Sequence, residues 1–257
     1  TDVWNNNARD LISDKTANFD EIISTRDDIM NSLIQKGLDK KKSFQIMEIV
    51  RKGRSLSEEQ LEYMRENGVP EWYIESCLKI KYLFPKAHAV AYCLMSYRIA
   101  YYKVYYPAAF YATYFNTKLS DFVYSIIING LESIQVALKS YAQRFDLTAR
   151  DEGIRKVLEV AEEMYARDIK IDRADLYKSH ASKFILSEKE GYILPPLSSV
   201  DNVSEAMAID IVNERDKGEF ISIEDLNKRT AVNKNALESL KNFGIIDGLG
   251  EKNQMSL

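Results

Sequence analysis

The stretch FPKAHAVAYCLMSYRIAYYKVYYP, residues 84–107, decides how this chain is read. Pro85 rules out a continuous helix through Phe84, and Pro107 ends or kinks the helix that follows. Between them the pattern predicts one long helix crowded with aromatic rings. Its first turn carries Lys86 and His88, and His88 is one of only two histidines in the chain. Free N–H groups at a helix start carry partial positive charge and attract anions. A lysine and a histidine there add two donors aimed the same way. One turn on, Tyr92 falls on the face of His88, and Arg98 lies further down the helix. The arrangement suits a triphosphate whose base or sugar leans on Tyr92. A lone histidine is also a common structural residue, and spacing alone leaves both readings open.

The surroundings of this helix are unusual in charge. From residue 76 to residue 120 there is no Asp or Glu, while Lys79, Lys81, Lys86, Arg98, Lys103 and Lys118 all lie inside the window. Basic groups interleaved with tyrosines fit a nucleotide or nucleic-acid surface, with cations for phosphate and ring faces for bases. The alternative is a buried helix whose rings are core and whose lysines snorkel to water. That alternative explains the tyrosines and leaves the missing acids unexplained.

Working outward, the period is helical almost everywhere. Residues 20–36 place Ile22, Ile23, Ile29, Met30, Leu33 and Ile34 on one face before Gly37. Residues 39–52 repeat the form with Phe44, Ile46, Met47 and Val50 and stop at Gly53. Ser57 followed by Gln60 is a capping-box pattern that opens a helix through Glu66. A Gly-Val-Pro turn precedes a helix from Pro70, and two longer helices are expected over 121–145 and 151–167. Residues 177–194 change period and read as two short strands around a Glu-Lys-Glu-Gly turn. Short helical units then resume after Pro196.

A formal charge of −4 over 257 residues argues against a uniformly basic nucleic-acid coat. Cys77 and Cys93, the only cysteines, lack metal-ligand spacing and read as reduced thiols of a cytoplasmic protein. No apolar run approaches a membrane span, and no secretory leader is visible, so a soluble chain with no membrane partner is expected. The chain opens on Thr1 without a lead-in, which suggests a piece of something longer.

The segment KIKYLFPKAHAVAYCLMSYRIAYYKVYYPAAFYATYF closely resembles the fingers of bacterial replicative DNA polymerases of the C family, in particular the PolC type. The phrases IMEIVRKGRSLSEEQLEYMRENGVPEWYIESC, DLYKSHASKFIL, NERDKGEF and NQMSL extend the resemblance over essentially the whole chain. It implies a mainly α fold: multi-helical fingers subdomains, then a small β-hairpin and a tandem helix-hairpin-helix domain. The implied divisions are partial fingers over 1–118, a helical extension over 119–170, the hairpin and duplex-binding domain over 171–250, and a clamp-binding tail over 251–257.

The same resemblance implies roles. Lys86, His88, Tyr92, Arg98 and Lys81 would contact the incoming dNTP. Arg51, Lys52 and Arg54, which as a bare charge run would be a solvated face, become contacts to template phosphate. In the second hairpin Asn233 and Lys234 are expected at the duplex product, although a plain polar turn fits them too. The first hairpin departs from the family, because its turn at 198–203 has no glycine and carries Asp201. It is therefore not expected to grip phosphate in the usual way. Gln254, Met255 and Leu257 resemble a sliding-clamp peptide that lacks its final aromatic. Catalytic Mg²⁺ would be held by palm carboxylates of the parent polymerase, since no Asp-x-Asp on a strand pattern occurs here. This chain alone is thus expected to be inactive. The rival reading is a free-standing helical DNA-binding or adaptor protein.

Overall fold

A computed structural model describes residues 2–252. The chain divides into two compact units, Thr1–Arg98 and Ile99–Leu257.

In the first unit, α1 (Arg9–Ser13) is a single short segment, and α2 (Arg26–Gln35) through α5 build the core. Asp28 sets the start of α2, accepting from the Thr25 N–H at 2.7 Å and the Thr25 hydroxyl at 2.8 Å. The helix therefore begins later than the apolar period suggests. Ile22 and Ile23 stay buried, but in the loop before it. Asp39 caps α3 (Lys40–Val50), accepting from the N–H groups of Lys41 and Lys42 at 3.0 Å. The expected capping box of Ser57 and Gln60 opens α4 (Glu58–Glu66), and Pro70 is the N-cap of α5 (Glu71–Lys79). These helices pack Ile29, Leu33, Ile46, Met64 and Ile74 into one core, each at most 1% exposed. Truncating any one of them to alanine costs about 2–5 kcal/mol.

The segment between α5 and the next helix is fixed by the backbone. Leu83 donates its N–H to the Arg51 carbonyl at 3.1 Å, and Arg26 donates to the Phe84 carbonyl at 3.2 Å. Gly53 lies under this segment with φ +63°, and a Cβ there would stand 2.8 Å from the Lys81 Cα. Glycine is required twice over, by the left-handed backbone and by the close approach.

The aromatic helix is α6 (Lys86–Tyr105), bounded by the two prolines, and Pro107 opens α7 (Pro107–Thr117) in the second unit. The division between units falls within α6.

The rest of the second unit corrects the expectation of one helix over 121–145. Gly130 at φ +87° separates the single turn α8 (Tyr124–Ile127) from α9 (Leu131–Ala142). The long amphipathic α10 (Ala149–Ala166) follows. The expected strand pair exists as β2 (Ile185–Leu186) antiparallel to β3 (Tyr192–Leu194). A third strand, β1 (Lys170–Ile171), pairs parallel with β3 and gives the order β1-β3-β2. Two residues carry too little alternation for period counting to find.

Then come α11 (Glu205–Arg215), α12 (Ile223–Arg229) and α13 (Lys234–Asn242). A single core joins α7, α10, the sheet and these last helices, so it crosses the expected division at 170/171. Phe115, Phe122 and Phe184 meet there at ring distances of 4.9–5.5 Å. Asn116 ties α7 to the strands, with its Oδ1 accepting from the Phe184 N–H at 2.7 Å.

Candidate nucleotide and nucleic-acid interface

The first turn of α6 is not free of carboxylates once the chain folds. The Lys86 N–H donates to Asp27 Oδ2 at 2.7 Å, and Lys86 Nζ reaches Asp28 Oδ1 at 2.8 Å. Two acids from the start of α2 thus occupy the backbone and ammonium donors of Lys86. The window of residues 76–120 is acid-free along the chain and not in space. Burial lifts the Asp28 carboxyl, but hydrogen bonds from Lys86, Ser24 and Thr25 outweigh it and hold the pKa at about 2. The hydrogen bond with Asp28 in turn raises the Lys86 ammonium above its ordinary value.

The expected contact of His88 with Tyr92 is present, at 4.6 Å between ring centroids. Phe84 extends it on the other side of His88 at 4.9 Å. The three rings form an exposed ladder at the helix start, with Tyr92 59% exposed. Such rings offer faces on which a base can stack. Beside Lys86 opens a cleft of about 670 Å³ whose walls include Asp28, Asn31, Trp72 and Tyr73. Arg98 is exposed two turns beyond Tyr92, and Lys81 forms an ion pair with Asp2 at 2.8 Å.

The other expected contacts are scattered. Arg51 and Lys52 share Glu48, with Arg51 Nη2 at 2.8 Å and Lys52 Nζ at 3.3 Å. Arg54 is exposed just beyond them. In the turn between α12 and α13, Asn233 caps α13 by accepting from the Ala236 N–H at 2.9 Å, and Lys234 is exposed. That turn also has a resident carboxylate, since the Ala231 N–H donates to Asp210 Oδ2 at 2.7 Å. In the first hairpin Asn202 takes the left-handed conformation at φ +66° that glycine usually fills. Its amide donates to Ser239 Oγ at 2.9 Å, which fastens the turn to α13.

Arg229 holds the α11–α12 connection together. Its guanidinium donates to the carbonyls of Gly218 at 3.0 Å and Glu219 at 3.1 Å and stands 4.5 Å from the Phe220 ring centroid. Gln254, Met255 and Leu257 lie outside the described residues. Among the described residues no group of three or more His, Cys, Asp or Glu is arranged to hold a metal ion. No helix among them is long and apolar enough to cross a membrane.

The sequence pattern missed Asp27, Asp28 and Asp210 as partners of these donors. The Thr25-to-Asp28 spacing signals a helix cap, but nothing in it signals a contact some sixty residues along the chain.

Comparison with known proteins agrees with the mainly helical architecture. Residues 168–255 match the helix-hairpin-helix motif, which takes in the sheet and the last three helices. The class is therefore a multi-helical chain ending in a helix-hairpin-helix module. The whole chain is similar to DNA polymerase III PolC-type of Caldanaerobacter subterraneus subsp. tengcongensis, at 53% identity over 258 residues. Identity is 44% with the protein of that name from Oceanobacillus iheyensis and 43% with that from Bacillus subtilis. The similarity to these PolC-type DNA polymerases III covers all of the chain, yet the chain spans only 18% of their length.

Proposed function

We propose that this chain is the fingers and duplex-binding part of a cytoplasmic replicative DNA polymerase. In this reading the start of α6 receives the triphosphate of an incoming dNTP. The observation that carries it is the placement of Lys86 at an open cleft, on the same helix start as the His88–Tyr92 ring pair, in a chain similar throughout to PolC-type DNA polymerases. Asp27 and Asp28 hold the two Lys86 donors in the absence of nucleotide. A triphosphate takes them over by charge, while Tyr92 and Phe84 offer ring faces to base or sugar.

Arg51, Lys52 and Arg54 lie toward template phosphate, and Asn233 and Lys234 toward the duplex product. The tail with Gln254, Met255 and Leu257 meets the sliding clamp. Mg²⁺ is held by carboxylates of the parent polymerase outside this segment, so the segment alone does not incorporate nucleotides.

A second reading has its own observation. The paired contacts of Lys86 to Asp27 and Asp28 make it a structural staple between two helix starts. Kinetics separate the two. In a full-length polymerase carrying this segment, losing a charged hydrogen bond to the transition state costs about 1.5–3 kcal/mol. The double variant Lys86→Ala, His88→Ala should then lose roughly tenfold to a hundredfold in kcat/KM for nucleotide. A folded double variant with unchanged nucleotide kinetics leaves only the staple.

A further inference from the structure

The strongest unexplained feature is the outer surface of α6. Among its described residues not one is buried, although the helix is 20 residues long and mostly apolar. With about 100° between successive residues, its large side chains fall on two seams. Val90, Leu94, Tyr97, Tyr101 and Val104 follow one another by alternating steps of four and three, and each is about half exposed or more. Met95, Ile99 and Tyr102 follow by four and three on nearly the opposite side, and they are equally exposed. Alternating steps of three and four are the spacing by which one helix packs along another. A helix that is apolar around most of its circumference belongs inside a bundle.

We propose that α6 is a central helix of the full polymerase, packed along both seams by polypeptide outside this segment. The inference rests on the reading that the chain is one part of a longer polymerase. Three observations select this occupant. The relatives are more than five times as long as the chain, so unassigned polypeptide is plentiful. A second copy of this chain related by a two-fold axis buries the same seam on both molecules and leaves the opposite seam open. Tyr97, Tyr101 and Tyr102 offer rings and hydroxyls to DNA, but Val90, Leu94, Met95, Ile99 and Val104 between them offer it neither charge nor hydrogen bond. α6 carries three cations, Lys86, Arg98 and Lys103, of which Lys86 is held by Asp28 at 2.8 Å and Lys103 by Glu163 at 2.7 Å.

The test is oxidative footprinting of the full-length polymerase, free of DNA and nucleotide, read by mass spectrometry at Met95. Met64, fully buried in the first unit, is the protected standard, and the denatured polymerase is the exposed one. Met95 should lose its reactivity to the level of Met64, with Tyr97 and Tyr101 on the other seam protected alike. Reactivity like that of denatured protein overturns the proposal. Protection that appears only when primer-template is added overturns it in favour of DNA. Protection that disappears on dilution overturns it in favour of a second copy. The measurement contains no nucleotide, so it can fail while the Lys86 kinetics succeed, and the reverse.

Discussion

The two longest helices of this chain, α6 and α10, are built by opposite rules. α10 buries Val157, Leu158, Ala161 and Met164 along one side. On its outer side Arg155 pairs with Glu152 at 2.8 Å and with Glu159 at 2.5 Å. It opens on a Thr148 cap that accepts from the Asp151 N–H at 3.1 Å. Its sequence and its surroundings agree, and its own chain completes it. α6 has the more apolar sequence and the less apolar surroundings. Its first turn is held by carboxylates from another helix, and its rings stand exposed. A segment whose pattern and environment disagree is where a protein meets something else.

The sharpest way to break this comparison is to truncate one leucine in each helix. Leu158→Ala should cost about 2–5 kcal/mol in a denaturant melt, because it leaves a cavity in a closed core. Leu94→Ala in the same chain should change stability by less than about 0.5 kcal/mol, as exposed substitutions do. If the two costs are alike, α6 is buried in solution and the contrast disappears. Repeated in the full-length polymerase, Leu94→Ala should approach the cost of Leu158→Ala.

A smaller effect concerns the start of α6. Asp28 has a folded pKa of about 2 against an ordinary 3.8. A depressed carboxylate contributes stability that is complete above its unfolded pKa and is lost as pH falls through its folded pKa. Thermal melts should therefore show the first unit weakening as pH drops from about 4 toward about 2. Asp28→Asn should flatten that decline. An unchanged acid profile in Asp28→Asn would remove the account of the α2–α6 contact.

Much of this architecture is legible in the sequence, and the exceptions have physical causes. Ser57 with Gln60, Gly53, Pro85 and Pro107 act within one turn of themselves, so local reading finds them. The Phe84–His88–Tyr92 ladder is a four-residue repeat on one helix, and for the same reason its His88–Tyr92 half is predictable. The break at Gly130 was hidden because the apolar period continues on either side of it. β1 pairs with a strand some twenty residues away and is only two residues long. Asp28 and Asp210 escape for a further reason. Their contacts with Lys86 and Ala231 depend on how helices pack, and charge counted along a chain says nothing about charge in space.

In the function proposed above, the first turn of α6 exchanges the carboxylates of Asp27 and Asp28 for nucleotide phosphate. A dNTP carrying a photoreactive group on its γ-phosphate tests this most directly, bound to the full-length polymerase with primer-template and then irradiated. Peptide mapping should place the adduct within residues 84–92, on or beside Lys86. Competition by unmodified dNTP should remove it. A competable adduct that maps wholly outside these residues contradicts the claim.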